Sequence, residues 1–199
     1  LGAQCMAFAL DAATGAEKWK TSIAGPTEAG NGHNSSFVFD GGRLYVLAGR
    51  LVALDAATGR ILWECRDASG FSSSPAIWRH DGRTFVIAGE SRGRVAVAAD
   101  TGAPIWRVTD AAGPSTPAVA GDRMAISYAH GLAVYQLSET GAVRVASTER
   151  GGSKGGSPVL AGTRVYSGSF EAAALDAASG ALLWSGPRGI DSYSSAWRA

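Results

Sequence analysis

An eleven-residue phrase, Ala-x-Asp-x-x-Thr-Gly-x-x-x-Trp, stands complete at Ala9–Trp19 and Ala53–Trp63, and with Ser for Thr at Ala174–Trp184. A copy without the Asp runs from Ala96 to Trp106, and a fainter one from Tyr135 to Val145 keeps Thr140 and Gly141. The glycines of the five copies, Gly15, Gly59, Gly102, Gly141 and Gly180, follow one another at 44, 43, 39 and 39 residues. A period near forty residues belongs to solenoids and propellers, where one supersecondary unit cannot bury its own faces and must stack on its neighbours.

The text between the phrases identifies the unit. Ser73–Trp78, Thr84–Ala88, Arg94–Ala98 and Pro104–Val108 read as four short strands separated by His80-Asp81-Gly82, Ser91-Arg92-Gly93 and Asp100-Thr101-Gly102 turns, with no helical periodicity. Four meandering strands per period predict an all-β propeller of four-stranded antiparallel blades. Phe37, Pro75, Pro117, Pro158 and Ala196 recur at equivalent places, each opening an inner strand. Proline is tolerated there because the first residue of a strand gives up no essential ladder bond.

Within the phrase, roles follow from chemistry. Asp11, Asp55 and Asp176 are expected to accept backbone N–H bonds from the tight loop, so they are turn clamps rather than acids. The glycines supply a backbone angle that other residues resist. Trp19, Trp63, Trp106 and Trp184 fall on outer strands, where a flat side chain can cover the seam between blades, each burying about 150 to 250 Å². The small Ala9, Ala53 and Ala174 leave room for them. The faint copy exchanges Ala for Tyr135 and Trp for Val145, which predicts a large-for-small swap offset across one seam.

With these motifs in hand, the sequence resembles the pyrroloquinoline-quinone (PQQ) repeat superfamily of β-propellers, over essentially all 199 residues. That superfamily includes quinoprotein dehydrogenases, the bacterial outer-membrane assembly lipoprotein and many PQQ-like repeat proteins, so the resemblance implies the fold strongly and a function weakly. Its propellers have seven or eight blades. The chain is therefore expected to form an incomplete arc, with a partial blade at 1–21, full blades at 34–66, 72–108, 115–147 and 156–186, and a partial blade at 192–199; the first strand expected is Cys5–Leu10. A closed five-bladed ring is the alternative. An extracytoplasmic location is implied by the resemblance alone.

Charge is balanced, 18 basic against 17 acidic residues with no basic cluster, which removes the case for nucleic acid or an anionic membrane. No run is long and apolar enough to span a bilayer as a helix, and no secretory leader is legible. Cys5 and Cys65 follow no metal or redox spacing and are expected to be two separate thiols. Gly151-Gly152-Ser153-Lys154-Gly155 fits Gly-x-Ser-x-Gly but joins two strands, so it reads as a connector rather than a nucleophile elbow. His33, His80 and His130 are isolated and read as turn or loop histidines.

Alternating chain direction puts the blade-to-blade connectors and the loops between second and third strands on one face, opposite the Asp-Thr-Gly turns. That loop face is the candidate functional surface. It would carry Asn31, His33 and Asn34, then Arg66, Glu90, Arg92, His130, Lys154, Phe170 and Glu171, a mixture suited to a protein partner or small polar ligand. The expected function is a non-catalytic scaffold with no catalytic residue, no metal site and no cofactor. The alternative that the resemblance implies is a fragment of a quinoprotein dehydrogenase oxidising alcohols or sugars with PQQ and calcium. For that role the chain has no adjacent cysteine pair, and Glu90, Glu171 and Asn34 are nominal calcium ligands.

Overall fold

A computed structural model describes residues 2–3, 5–25, 35–69, 73–90, 92–128, 131–152, 155–168 and 171–188. Among the described residues every regular element is a strand. The first sheet holds β1 (Gly2–Ala3), β2 (Met6–Leu10) and β3 (Glu17–Ser22). The second holds β4 (Val38–Asp40), β5 (Arg43–Leu47), β6 (Leu51–Asp55) and β7 (Ile61–Cys65). The third holds β8 (Ala76–His80), β9 (Arg83–Gly89), β10 (Arg94–Ala98) and β11 (Pro104–Val108). The fourth holds β12 (Ala118–Ala120), β13 (Arg123–Tyr128), β14 (Gly131–Ser138) and β15 (Gly141–Thr148). The fifth holds β16 (Val159–Ala161), β17 (Arg164–Ser167), β18 (Glu171–Asp176) and β19 (Leu182–Arg188).

Each sheet is an antiparallel meander in chain order, so these are propeller blades, four of four strands and a first of three. β1 corrects the expectation that the chain enters at Cys5–Leu10: the short pair Gly2–Ala3 already ladders onto Met6 and Ala7. Cys5 is the turn residue between them, with a left-handed φ of 64°. The inner strand expected near residue 196 lies outside the described residues.

The core sits between blades rather than within them. Strand alternation sends β10's Val95 and Val97 toward the second blade, where they meet Leu51 and Ala53, and sends Ala96 toward the fourth, where it meets Met124 and Ile126. Both faces of a middle strand are thus buried, which is why Leu51–Leu54 and Val95–Val97 read as continuous apolar runs.

A second device crosses every full seam near the innermost strands. The Ser36 amide donates to the Ser74 hydroxyl (2.8 Å), the Ser74 amide to Thr116 (2.9 Å), and the Thr116 amide to Ser157 (2.9 Å). Each hydroxyl precedes the residue that opens an inner strand, so the recurring Ser/Thr-Pro pair does two jobs. Proline starts the strand, and the hydroxyl satisfies an amide of the preceding blade.

Candidate functional site

At the three complete phrases the Asp carboxylate accepts from the backbone two and three residues on and from the Thr or Ser hydroxyl; for Asp55 these bonds run to Ala57 (3.1 Å), Thr58 N (2.8 Å) and Thr58 Oγ1 (2.8 Å). Asp11 and Asp176 repeat the pattern. Hydrogen bonds to the charged form hold all three carboxyls below the ordinary carboxylate value, with Lys18 adding to the effect at Asp11. In the copy lacking the Asp, Gly102 N still donates to Ala98 O at 2.8 Å and Ala98 N to Ala103 O at 2.9 Å. The backbone forms this turn without the clamp.

The tryptophans reach the next blade. The Trp19 indole donates to Ala56 O and the Trp63 indole to Ala99 O, both at 3.1 Å. Each ring lies over the turn glycine of that blade: a Cβ on Gly102 would sit 2.5 Å from Trp63, and one on Gly59 would strike Trp19. Glycine is required there twice over, for its φ near 72° and for the ring above it. Trp106 is buried, unlike the half-buried Trp19 and Trp63, but its Nε1 has no hydrogen-bond partner among the described residues. Trp184, on the last described strand, is 49% exposed.

The fourth blade departs from the sequence reading. Ala96 pairs with Trp106, whereas Val134 pairs with Ala146, a hairpin two residues longer. Ser138 and Gly141 close it as a paired position, and Gly141 has a φ of 157° instead of the left-handed turn angle expected. The pair at the seam with the fifth blade is therefore Val134 and Ala146, and a Cβ on Gly180 would come within 2.6 Å of Ala146. Tyr135 faces the opposite way, into the seam with the third blade, donating to Asp110 O at 2.9 Å, while Val145 is 41% exposed. Tyr135 and Val145 do not share a seam, so the compensating swap does not occur.

On the loop face, the described candidates form two groups. Glu90, at the end of β9, lies 3.5 Å from Arg107, which also pairs with Asp67 of the connector at 2.8 Å. Arg66 and Arg92 are exposed. Glu171, nearly buried at the start of β18, pairs with Arg150 of its connector at 2.7 Å. The two carboxylates named as nominal calcium ligands are each engaged by an arginine, on different blades. Among the described residues no group of three or more His, Cys, Asp or Glu could hold a metal ion. Asn31, His33, Asn34, His130, Lys154 and Phe170 lie outside the described residues. Cys5 and Cys65 are free thiols.

Arg94 is the loop-face residue that sequence reasoning missed. It is 1% exposed, and its guanidinium donates to Gly93 O, Gly113 O and Ser115 O at 2.7 to 2.9 Å, with no carboxylate among those partners. Burial lowers its pKa to about 10, which leaves it cationic at neutral pH. Two of the three carbonyls belong to the connector entering the fourth blade, so Arg94 ties that connector down. Its signal was present: Arg94 occupies the register position filled by Leu51 in the second blade, and a charge in an apolar register asks for a partner. A shallow depression lined by Ala161, Thr163, Arg164 and Tyr166 lies at the β16–β17 turn, at the opposite end of the blades.

The sequence model of the family described as outer membrane protein assembly factor BamB matches residues 7–199. A search of curated protein sequences found no match. Among solved structures, BamB from Moraxella catarrhalis superposes with a TM-score of 0.69 at 23% identity, over 92% of this chain and 55% of that one. A quinohemoprotein alcohol dehydrogenase from Comamonas testosteroni superposes with a TM-score of 0.71 at 16% identity, over 90% of this chain and 40% of that one. A europium-containing methanol dehydrogenase gives 0.66 at 13% identity, over 92% and 47%. The chain thus spans about half the length of these structures, and at such identities they establish the propeller fold.

Proposed function

We propose that this chain, which belongs to the family of the outer membrane protein assembly factor BamB, is a non-catalytic scaffold whose loop face receives a protein partner or a small polar ligand. The supporting observation is how the described loop-face charges are used. Asp67, Glu90 and Arg107, and separately Arg150 and Glu171, tie connectors to blades, and Arg94 clamps a third connector through its carbonyls. That wiring makes a stiff polar platform, with groups spread along the face rather than converging on one reacting atom. An extracytoplasmic location belongs to the same reading and rests on kinship. No helix is long and apolar enough to cross a membrane among the described residues.

The test sets the platform against the dehydrogenase alternative. A photo-crosslinking residue in place of Arg92 should capture a protein partner in the cell envelope, while one in place of Thr14, on the turn face, should not. Addition of PQQ, calcium and a dye acceptor should give no turnover and no thermal shift. Equal capture from both faces, or micromolar PQQ binding with dye reduction, would overturn the proposal in favour of a general contaminant surface or of quinone chemistry.

A further inference from the structure

The seam between the third and fourth blades lacks the lock used by the two seams before it. Trp106 is in place, but its indole N–H has no described partner, and Gly141 has nothing within 4 Å of a Cβ position, so no ring seats on it. Another assembly spans the same seam. Trp78, fully buried on β8 and outside the repeated phrase, donates through Nε1 to Asp122 Oδ1 at 3.0 Å. His80 Nδ1 lies 2.8 Å from the same oxygen, and its ring stacks on Trp78 at 5.3 Å between centroids. Asp122 belongs to the turn between β12 and β13, so both bonds cross from one blade to the next.

We propose that this seam is a pH-sensitive joint, closed by the His80 imidazolium on Asp122 and loosened as His80 loses its proton.

The described carboxylates around the ring favour the closed form at mildly acidic pH, while the neighbouring cations Arg83 and Arg79 are each paired with a carboxylate. Asp122 faces Nδ1 from the fourth blade, and Asp81 of His80's own turn lies 3.6 Å from Nε2. Glu139, also from the fourth blade, is held close by Arg83 at 2.7 Å. Arg79, the next residue back, is engaged by Asp40 of the second blade rather than facing His80. The hydrogen bond and charge of Asp122 raise His80 above its ordinary 6.5, against partial desolvation. Asp122 is held below 3.8 by the Trp78 and His80 hydrogen bonds. A raised histidine stabilises the folded state fully below its unfolded pKa and loses that contribution as pH rises through the folded value. At the acid end the contribution disappears when Asp122 takes a proton. The window therefore lies between the depressed Asp122 value and the raised His80 value. Neutral His80 can keep a hydrogen bond to Asp122 through Nδ1–H, so the seam loosens rather than separates.

Three measurements on the 199-residue chain test it. In the wild type, NMR titration of His80 should give a pKa above 6.5, falling back toward that value in Asp122→Asn. The exchange of the Trp78 indole N–H, relative to that of Trp63 at the same pH, should quicken as pH rises through the His80 pKa, since Trp63 donates to a carbonyl that does not titrate. The melting-temperature difference between wild type and His80→Gln should be larger near about pH 5.5 than near about pH 8.5. A His80 pKa at or below 6.5, or an exchange ratio flat across that range, would overturn the joint.

Discussion

The seam between the second and third blades and the seam between the fourth and fifth solve one packing problem with different parts. In the first, Trp63 lies over Gly102 and donates to Ala99 O, and Tyr45 donates to the same carbonyl at 3.2 Å. In the second, a longer hairpin brings Ala146 against Gly180, and Leu132, Val134, Val165 and Leu175 fill the space apolarly, with no indole. The hydroxyl-to-amide bond near the inner strand is present at both, through Ser74 and Ser157. Proximity of the two backbones is thus the constant, and the tryptophan is one way of filling the gap that proximity leaves. A turn glycine is retained in both because a Cβ would collide with whatever fills it.

That contrast predicts unequal costs. Trp63→Ala removes an aromatic wedged between two blades and should lower unfolding stability by about 3 kcal/mol, the low end for such truncations because the ring is half-buried. Trp184→Ala, at a ring 49% exposed, should cost under about 1 kcal/mol. Urea denaturation of the two variants measures both, and equal losses would break the distinction between a seated and an unseated tryptophan.

A smaller effect sharpens it. Asp55→Ala should leave the turn intact, since the third blade makes the same backbone bonds with Ala98 at that register. Its stabilisation, arising from a carboxyl held below the ordinary 3.8, is present above that value and is lost as pH falls through the folded pKa. The melting-temperature gap between wild type and variant should therefore narrow as pH falls below 3.8, and a gap independent of pH would assign the effect to something other than the carboxylate.

The repeat was legible because its causes are local. An Asp three residues before a hydroxyl closes a turn wherever the phrase occurs, and a Trp four residues after the glycine lands on an outer strand by simple counting. The fourth blade was misread for the same reason. Aligning on Thr140-Gly141 assumed one turn type, but Ser138 and Gly141 pair across a two-residue loop, which shifts the register by one and reverses the face on which Tyr135 emerges. His80 and Trp78 were invisible as functional parts because their partner, Asp122, is supplied by the following blade. No spacing within a single repeat encodes such contacts. On the loop face, Glu90 falls just past the end of β9 whereas Glu171, read as a loop residue, opens β18, and their engagement by Arg107 and Arg150 again depends on which connector lies beside which blade.

The account depends most on the claim that each seated indole lies directly on a glycine of the next blade. A double-mutant cycle on Trp63→Ala and Gly102→Ala tests it. Gly102→Ala alone combines a left-handed backbone penalty with a steric clash against Trp63, and removing the ring should relieve the clash, leaving the two changes non-additive by more than about 1 kcal/mol. Additivity within about 0.5 kcal/mol would mean that the ring and the glycine do not touch, and the seam as described would be wrong.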